Sequence, residues 1–188
     1  MGIIEISYFS DVLCVWAYIS EVRIDAIKEK FGEAVRIEHH FCSVFGDTAT
    51  KVNTMWKEKG GYAGFNAHLR QAATKFPHVE VHPDLWLSTR PATSMSAHLF
   101  LKAVQLGEGD LAARKQPPGT FDRAHSGAAF AALAADHQEA ERLRIEGSPS
   151  LVLNQGRQKL YGNIGFWLIE ANVQSLMRTP ASDDASWC

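Results

Sequence analysis

Residues Ile4-Glu5-Ile6-Ser7-Tyr8-Phe9-Ser10-Asp11-Val12-Leu13-Cys14-Val15-Trp16-Ala17-Tyr18 contain a change of period that decides the fold. Ile4, Ile6 and Tyr8 alternate with Glu5 and Ser7, the period of a strand buried on one face. From Trp16 onward, Ile19, Arg23, Ala26 and Ile27 recur at helical spacing, and Gly32 reads as the C-cap. Cys14 therefore sits where a strand gives way to a helix. The unpaired N–H groups and the positive end of the dipole at such a terminus favour the thiolate, the form of cysteine that attacks disulfides and electrophiles. The dipole alone contributes only ~0.3–1 kcal/mol at an exposed terminus, so strong activation needs further donors, and Ala17 offers none.

Working outward, Val35-Arg36-Ile37-Glu38-His39-His40-Phe41 alternates as a second strand, and the helix between the two strands makes them parallel neighbours joined by a right-handed crossover. That topology brings Cys14 and Cys42 to one edge of the sheet. Towards the C-terminus, Gly147-Ser148-Pro149-Ser150 precedes the apolar run Leu151-Val152-Leu153. Asn154-Gln155-Gly156 is a hairpin signal before Arg157 to Tyr161, and Phe166, Ile169, Val173 and Leu176 give a last amphipathic helix. The middle is helical: one stripe holds Tyr62, Phe65, Leu69, Ala72 and Phe76, a second runs from Ser94 to Leu106, and an alanine-rich third from Ala128 to Leu143. Gly107-Glu108-Gly109-Asp110 and Gln116-Pro117-Pro118-Gly119 form a turn-rich connector, and 181–188 reads as a loose tail.

Ser10-Asp11-Val12-Leu13-Cys14-Val15-Trp16-Ala17-Tyr18 resembles the active-site segment of the cytoplasmic branch of the DsbA family. Gly147-Ser148-Pro149-Ser150-Leu151-Val152-Leu153-Asn154, with Arg157-Gln158-Lys159-Leu160-Tyr161-Gly162, is similar to that family's cis-proline strand and its hairpin partner. The resemblance implies an α/β thioredoxin-like fold, β-α-β then β-β-α, with a shortened helical insert. The expected organisation is a thioredoxin-like domain at 1–42 and 144–180, an insert at 43–143 and a tail at 181–188. Disulfide-forming members carry a second cysteine where this chain has Ala17, so the usual active-site disulfide cannot close. The family also includes 2-hydroxychromene-2-carboxylate isomerases and kappa-class glutathione transferases, which have serine at the position of Cys14 and use glutathione.

Composition narrows the partners. A 188-residue chain suits one domain with an insert, and a formal charge of −2 disfavours nucleic acid or an anionic membrane. The strand-like N-terminus carries no basic leader and no apolar run reaches the roughly 18 residues of a membrane span, so the expected location is cytoplasmic. The three cysteines are then expected to be reduced.

The expected catalytic residue is Cys14, with Val15, Trp16, Ala17, Ser148 and Pro149 contacting a substrate or glutathione. Cys42 is a candidate resolving thiol whose plainer role is packing; Arg90 and His98 are candidate pocket residues, and Trp16 and Trp86 candidate apolar walls. His39-His40-x-Cys42 and His78-x-x-x-His82 contain zinc-type ligands without a zinc motif, so no metal is expected. The reading is a thiol-disulfide oxidoreductase with a single active-site cysteine, no tightly bound cofactor, and glutathione as cosubstrate. The alternatives are a glutathione-dependent isomerase or transferase and a non-catalytic peptide-binding protein.

Overall fold

A computed structural model describes residues 2–108, 122, 124 and 127–178. The change of period at Cys14 becomes strand β1 (Ile4–Ser10) followed by helix α1 (Val15–Phe31), closed by Gly32 at φ 51°. Strand β2 (Val35–Phe41) runs parallel to β1 in step, with Ile4 opposite Val35 and Ser10 opposite Phe41. The two strands therefore end level, and the Cys42 N–H donates to Ser10 O at 3.0 Å.

Helices α2 (Thr48–Met55), α3 (Gly61–Ala73), α4 (Met95–Glu108) and α5 (Ala128–Arg142) lie between β2 and β3 in the chain, with a π-helical turn at Leu85–Thr89. Strand β3 (Ser150–Leu153) pairs antiparallel with β1, and β4 (Gln158–Tyr161) antiparallel with β3, giving the order β2-β1-β3-β4. The hairpin between them turns through Asn154, Gln155 and Gly156, all at positive φ. Asparagine and glycine tolerate that region best. Helix α6 (Phe166–Arg178) completes the fold.

The alternation in β1 divides the core. Ile4, Ile6 and Tyr8 pack with Ile24 and Ile27 of α1 and with Ile169, Val173 and Leu176 of α6. Phe9, on the other face, packs with Cys42, Val152 and the Ala140–Leu143 end of α5. A third cluster gathers Cys14 and Ala17 with Phe45, Val52, Phe65, Leu69 and Trp86, so the helices between β2 and β3 cover the Cys14 end of the sheet. Helix α5 is also pinned by charge. Asp136 accepts the Phe41 N–H at 2.8 Å and pairs with His40 Nδ1 at 2.9 Å and Lys102 Nζ at 2.7 Å. Burial opposes the charged carboxylate, but these hydrogen bonds outweigh it and hold Asp136 below the usual carboxylate range.

Three details depart from the expected elements. Helix α2 has no counterpart in the periodicity, because its buried face is only Thr48 and Val52; Asp47 caps it by accepting the Thr50 N–H at 2.9 Å. Helix α3 stops at Ala73, short of Phe76, where the following Pro77 disfavours helical backbone. Gly107 and Glu108 continue α4 instead of opening the connector. The connector's remaining residues, the tail at 181–188 and its Cys188 lie outside the described residues. No described helix is long and apolar enough to cross a membrane.

Candidate active site

The loop between β1 and α1 is held amide by amide. Asp11 N–H donates to Ser148 Oγ at 2.8 Å, Val12 N–H to His98 Nε2 at 3.1 Å, Leu13 N–H to Asp11 Oδ1 at 3.0 Å and Cys14 N–H to Asp11 O at 2.9 Å. Asp11 is fully buried, and its second oxygen accepts the Phe45 N–H at 2.8 Å and the Ser94 hydroxyl at 2.9 Å. One carboxylate thus ties the loop to the segment after β2 and to the entry of α4. A buried carboxylate with its lone pairs taken by donors is tolerated where an unpaired one is not.

Cys14 is the N-cap residue of α1 with extended backbone, and its Sγ donates to Ser148 O at 3.1 Å. Ser148-Pro149 is a cis peptide bond, so the sulfur rests on the carbonyl immediately before the proline. The thiol is 7% exposed and borders an apolar cavity of about 120 Å³ whose wall includes Val12, Val15, Tyr18, Leu85, Trp86 and Pro91. That volume is below the ~150 Å³ of a cavity that binds benzene in an apolar core, so it suits one small apolar group beside the sulfur. The amides of Val15 and Trp16 find no acceptor among the described residues, leaving two helix-terminal donors close to Cys14.

Cys42 lies on the other side of the same turn. Its Sγ approaches Gly147 O at 3.9 Å, one carbonyl before the one that Cys14 uses. It is 3% exposed, and burial, reinforced by the charge of Asp11, pushes its thiol up to about 12. Both described cysteines are free.

Beneath α1, Tyr8 OH donates to Ala17 O at 3.3 Å, and burial, then the nearby Glu21, drives its phenol upward. Glu21 is raised to about 7 by burial and by Asp25, against the opposing effects of Lys28 and of a hydrogen bond with Tyr8. The folded chain therefore keeps a proton that the unfolded chain releases between about 4.5 and about 7, and this group's contribution to stability falls as pH rises through that window. Glu21→Gln is expected to leave the melting temperature unchanged near pH 4 and to raise it by several degrees at pH 8. Equal effects at the two pH values would rule this out.

The expected site residues separate on inspection. Cys14, Ser148 and Pro149 come together; Val15 lines the cavity, while Ala17 is buried over Tyr8. Trp16 packs edge-on against Phe76, and Trp86 forms the cavity wall. Arg90 is exposed, at φ 40°, with its guanidinium 5.0 Å from the Tyr62 ring, next to cavity residue Pro91. His98 is fully buried behind the loop and is not part of the cavity lining. His39 and His40 are engaged by Tyr8, Phe9 and Asp136, and no group of three or more His, Cys, Asp or Glu among the described residues is arranged to hold a metal. Asp11 and its contact with Ser94 were not assigned from the sequence, where Asp11 stands only as one letter of the motif.

No protein-family model matches the chain, and no curated protein matches it significantly in sequence. Solved structures do match. A provisionally described protein disulfide isomerase from Nitrosomonas europaea has TM-score 0.71 at 13% identity, over 94% of this chain and 98% of that one. The cytosolic disulfide reductase DsbM from Pseudomonas aeruginosa has TM-score 0.61 at 17% identity, over 93% and 98% of the two chains, and a structure of it with glutathione also matches at TM-score 0.56 and 15% identity, over 94% and 98%. A 2-hydroxychromene-2-carboxylate isomerase has TM-score 0.57 at 14% identity, over 96% and 100%. The chain thus has the thioredoxin-like fold of the DsbA-like oxidoreductases.

Proposed function

We propose that the protein is a thiol-disulfide oxidoreductase that works with Cys14 alone and draws its reducing thiol from glutathione. The observation that carries this reading is the placement of Cys14 at the α1 N-terminus, on the carbonyl before cis-Pro149; Ala17, in the first turn of the helix, stands at the position where the resembled disulfide-forming members carry a second cysteine. The Cys14 thiolate attacks a disulfide, forms a mixed disulfide and releases one substrate thiol. One glutathione thiolate then attacks the Cys14 sulfur and displaces the second substrate thiol. A second glutathione attacks the glutathione sulfur of that adduct, freeing Cys14 and glutathione disulfide. Two electrons pass from two glutathiones to one substrate disulfide.

Four features support the assignment of roles. Once Cys14 is in a disulfide it has no proton to donate, so Ser148 O becomes free to accept a backbone N–H of the bound thiol. The Val15 and Trp16 amides offer donors to the thiolate and its adduct, and the small cavity accepts an apolar group of the substrate. Cys42 is held as a buried, protonated thiol, which favours an external thiol over Cys42 for resolution. Because the cycle consumes reduced glutathione, a reducing cytoplasm is the compartment proposed for it. The apolar cavity also suits the alternative, a glutathione-dependent isomerase, in which position 14 steadies glutathione without covalent exchange.

Steady-state reduction of bis(2-hydroxyethyl) disulfide by glutathione tests the proposal. Parallel double-reciprocal lines are expected, with Cys42→Ala within about twofold of the parent, as ping-pong exchange at one sulfur requires. Loss of turnover in a folded Cys42→Ala, or intersecting lines, would count against it.

A further inference from the structure

His98 is fully buried on α4, yet its ring is part of the Cys14 loop by hydrogen bonding. Because Nε2 accepts the Val12 N–H, it carries no proton, and the neutral ring holds its proton on Nδ1, which has no partner among the described residues. The ring is fixed by stacking on Phe41, with centroids 4.6 Å apart and planes 12° from parallel. Asp11 Oδ1 lies 3.7 Å from Nε2 and already accepts the Leu13 N–H. We propose that His98 is a positioning residue for Cys14: its neutral ring fixes the loop through Val12, and protonation of Nε2 releases that loop.

Protonation would set two donors against each other. A proton on Nε2 would meet the Val12 N–H head-on and expel it, and the acceptor nearest that proton is Asp11 Oδ1, which Leu13 already uses. The Val12 and Leu13 amides both belong to the turn that delivers Cys14 to the α1 N-terminus, so the change reaches the sulfur through two residues of backbone. The charged groups facing the ring are Asp11 from the loop and Asp136 from α5, and His137 from α5 is the other titratable neighbour; Phe41 is the contact from β2. Burial disfavours the imidazolium and His137 adds to this, while Asp11 and Asp136 oppose it; the balance leaves His98 below its ordinary value, so the loop stays fixed at neutral pH and loosens in acid.

This inference rests on Cys14 being the reactive thiol of the proposed function, but its test needs no disulfide substrate. Amide exchange at Val12, read as a protection factor from pH 7.5 to pH 4.5, is expected to fall on the order of tenfold in the parent protein. In His98→Gln, whose side-chain oxygen reaches the position of Nε2 and accepts the same N–H without titrating, it is expected to stay constant. Alkylation of Cys14 by iodoacetamide, followed at the Cys14 peptide, is expected to show a second inflection in the same pH range in the parent alone. A flat protection factor in the parent, or an equal fall in His98→Gln, would overturn the proposal. If His98→Gln does not fold, ring ¹⁵N shifts of the parent decide: an unprotonated Nε2 at pH 7.5 that titrates together with the Val12 amide supports it, and a proton on Nε2 at pH 7.5 overturns it.

Discussion

Cys14→Ser is expected to end disulfide exchange and leave the fold in place. Its hydroxyl can still donate towards Ser148 O, so the contact that seats residue 14 on the turn before Pro149 survives in weaker geometry. The change removes no large apolar group from the cluster around Trp86, and a stability change within about 1 kcal/mol is expected. Chemistry is another matter. A serine hydroxyl is not ionised near neutral pH and cannot form the mixed disulfide, so turnover should drop to that of glutathione and substrate without protein. The same variant separates the two enzymatic readings. An isomerase or transferase that only orients glutathione should tolerate serine, as the resembled isomerases with serine at this position imply. Residual disulfide turnover by Cys14→Ser, measured against a no-protein control, would contradict the assigned role.

Asp11→Ala is expected to destabilise the fold strongly. It strands the Leu13 and Phe45 amides and the Ser94 hydroxyl, all held by the one carboxylate. Each buried donor left without an acceptor costs about 1–3 kcal/mol, and partial relaxation brings the sum to roughly 3–5 kcal/mol. Against a typical domain stability of about 5–15 kcal/mol, this lowers the melting temperature by roughly 6–20 °C for a chain of this size. Asp11→Asn should fall short of full rescue, because its NH₂ group must replace an oxygen that now serves either Leu13 or the Phe45 and Ser94 pair. A melting temperature within two or three degrees (~1 kcal/mol) of the parent in Asp11→Ala would show that the carboxylate does not anchor the loop.

What the sequence reveals is what short-range periodicity can encode. The alternation of Ile4, Ile6 and Tyr8, the helical spacing after Trp16 and the Asn154-Gln155-Gly156 turn depend on neighbours within a few residues, and these elements stand where their patterns place them. Helix α2 escapes because Val52 is the sole apolar anchor of its buried face. The site is less legible, since its decisive contacts span long separations. Asp11 meets Phe45 and Ser94 at separations of 34 and 83 residues, and Val12 meets His98 at 86. Nothing local to Ser94 or His98 announces those pairings. The sequence makes His98 a candidate pocket residue on the insert without deciding between that role and a structural one, and packing against Phe41 sets its ring behind the loop. Arg90, the other candidate pocket residue, stacks over Tyr62 from a left-handed backbone position beside cavity residue Pro91.

The central claim is that Cys14 exchanges with disulfides on its own. Intact mass spectrometry after treatment with glutathione disulfide tests it most directly, applied to the parent protein, Cys14→Ala and Cys42→Ala. One glutathione adduct is expected at Cys14 of the parent protein, kept in Cys42→Ala and lost in Cys14→Ala. A parent protein that instead loses two hydrogens, in a reaction needing both Cys14 and Cys42, or one in which Cys14 stays unmodified, would contradict it.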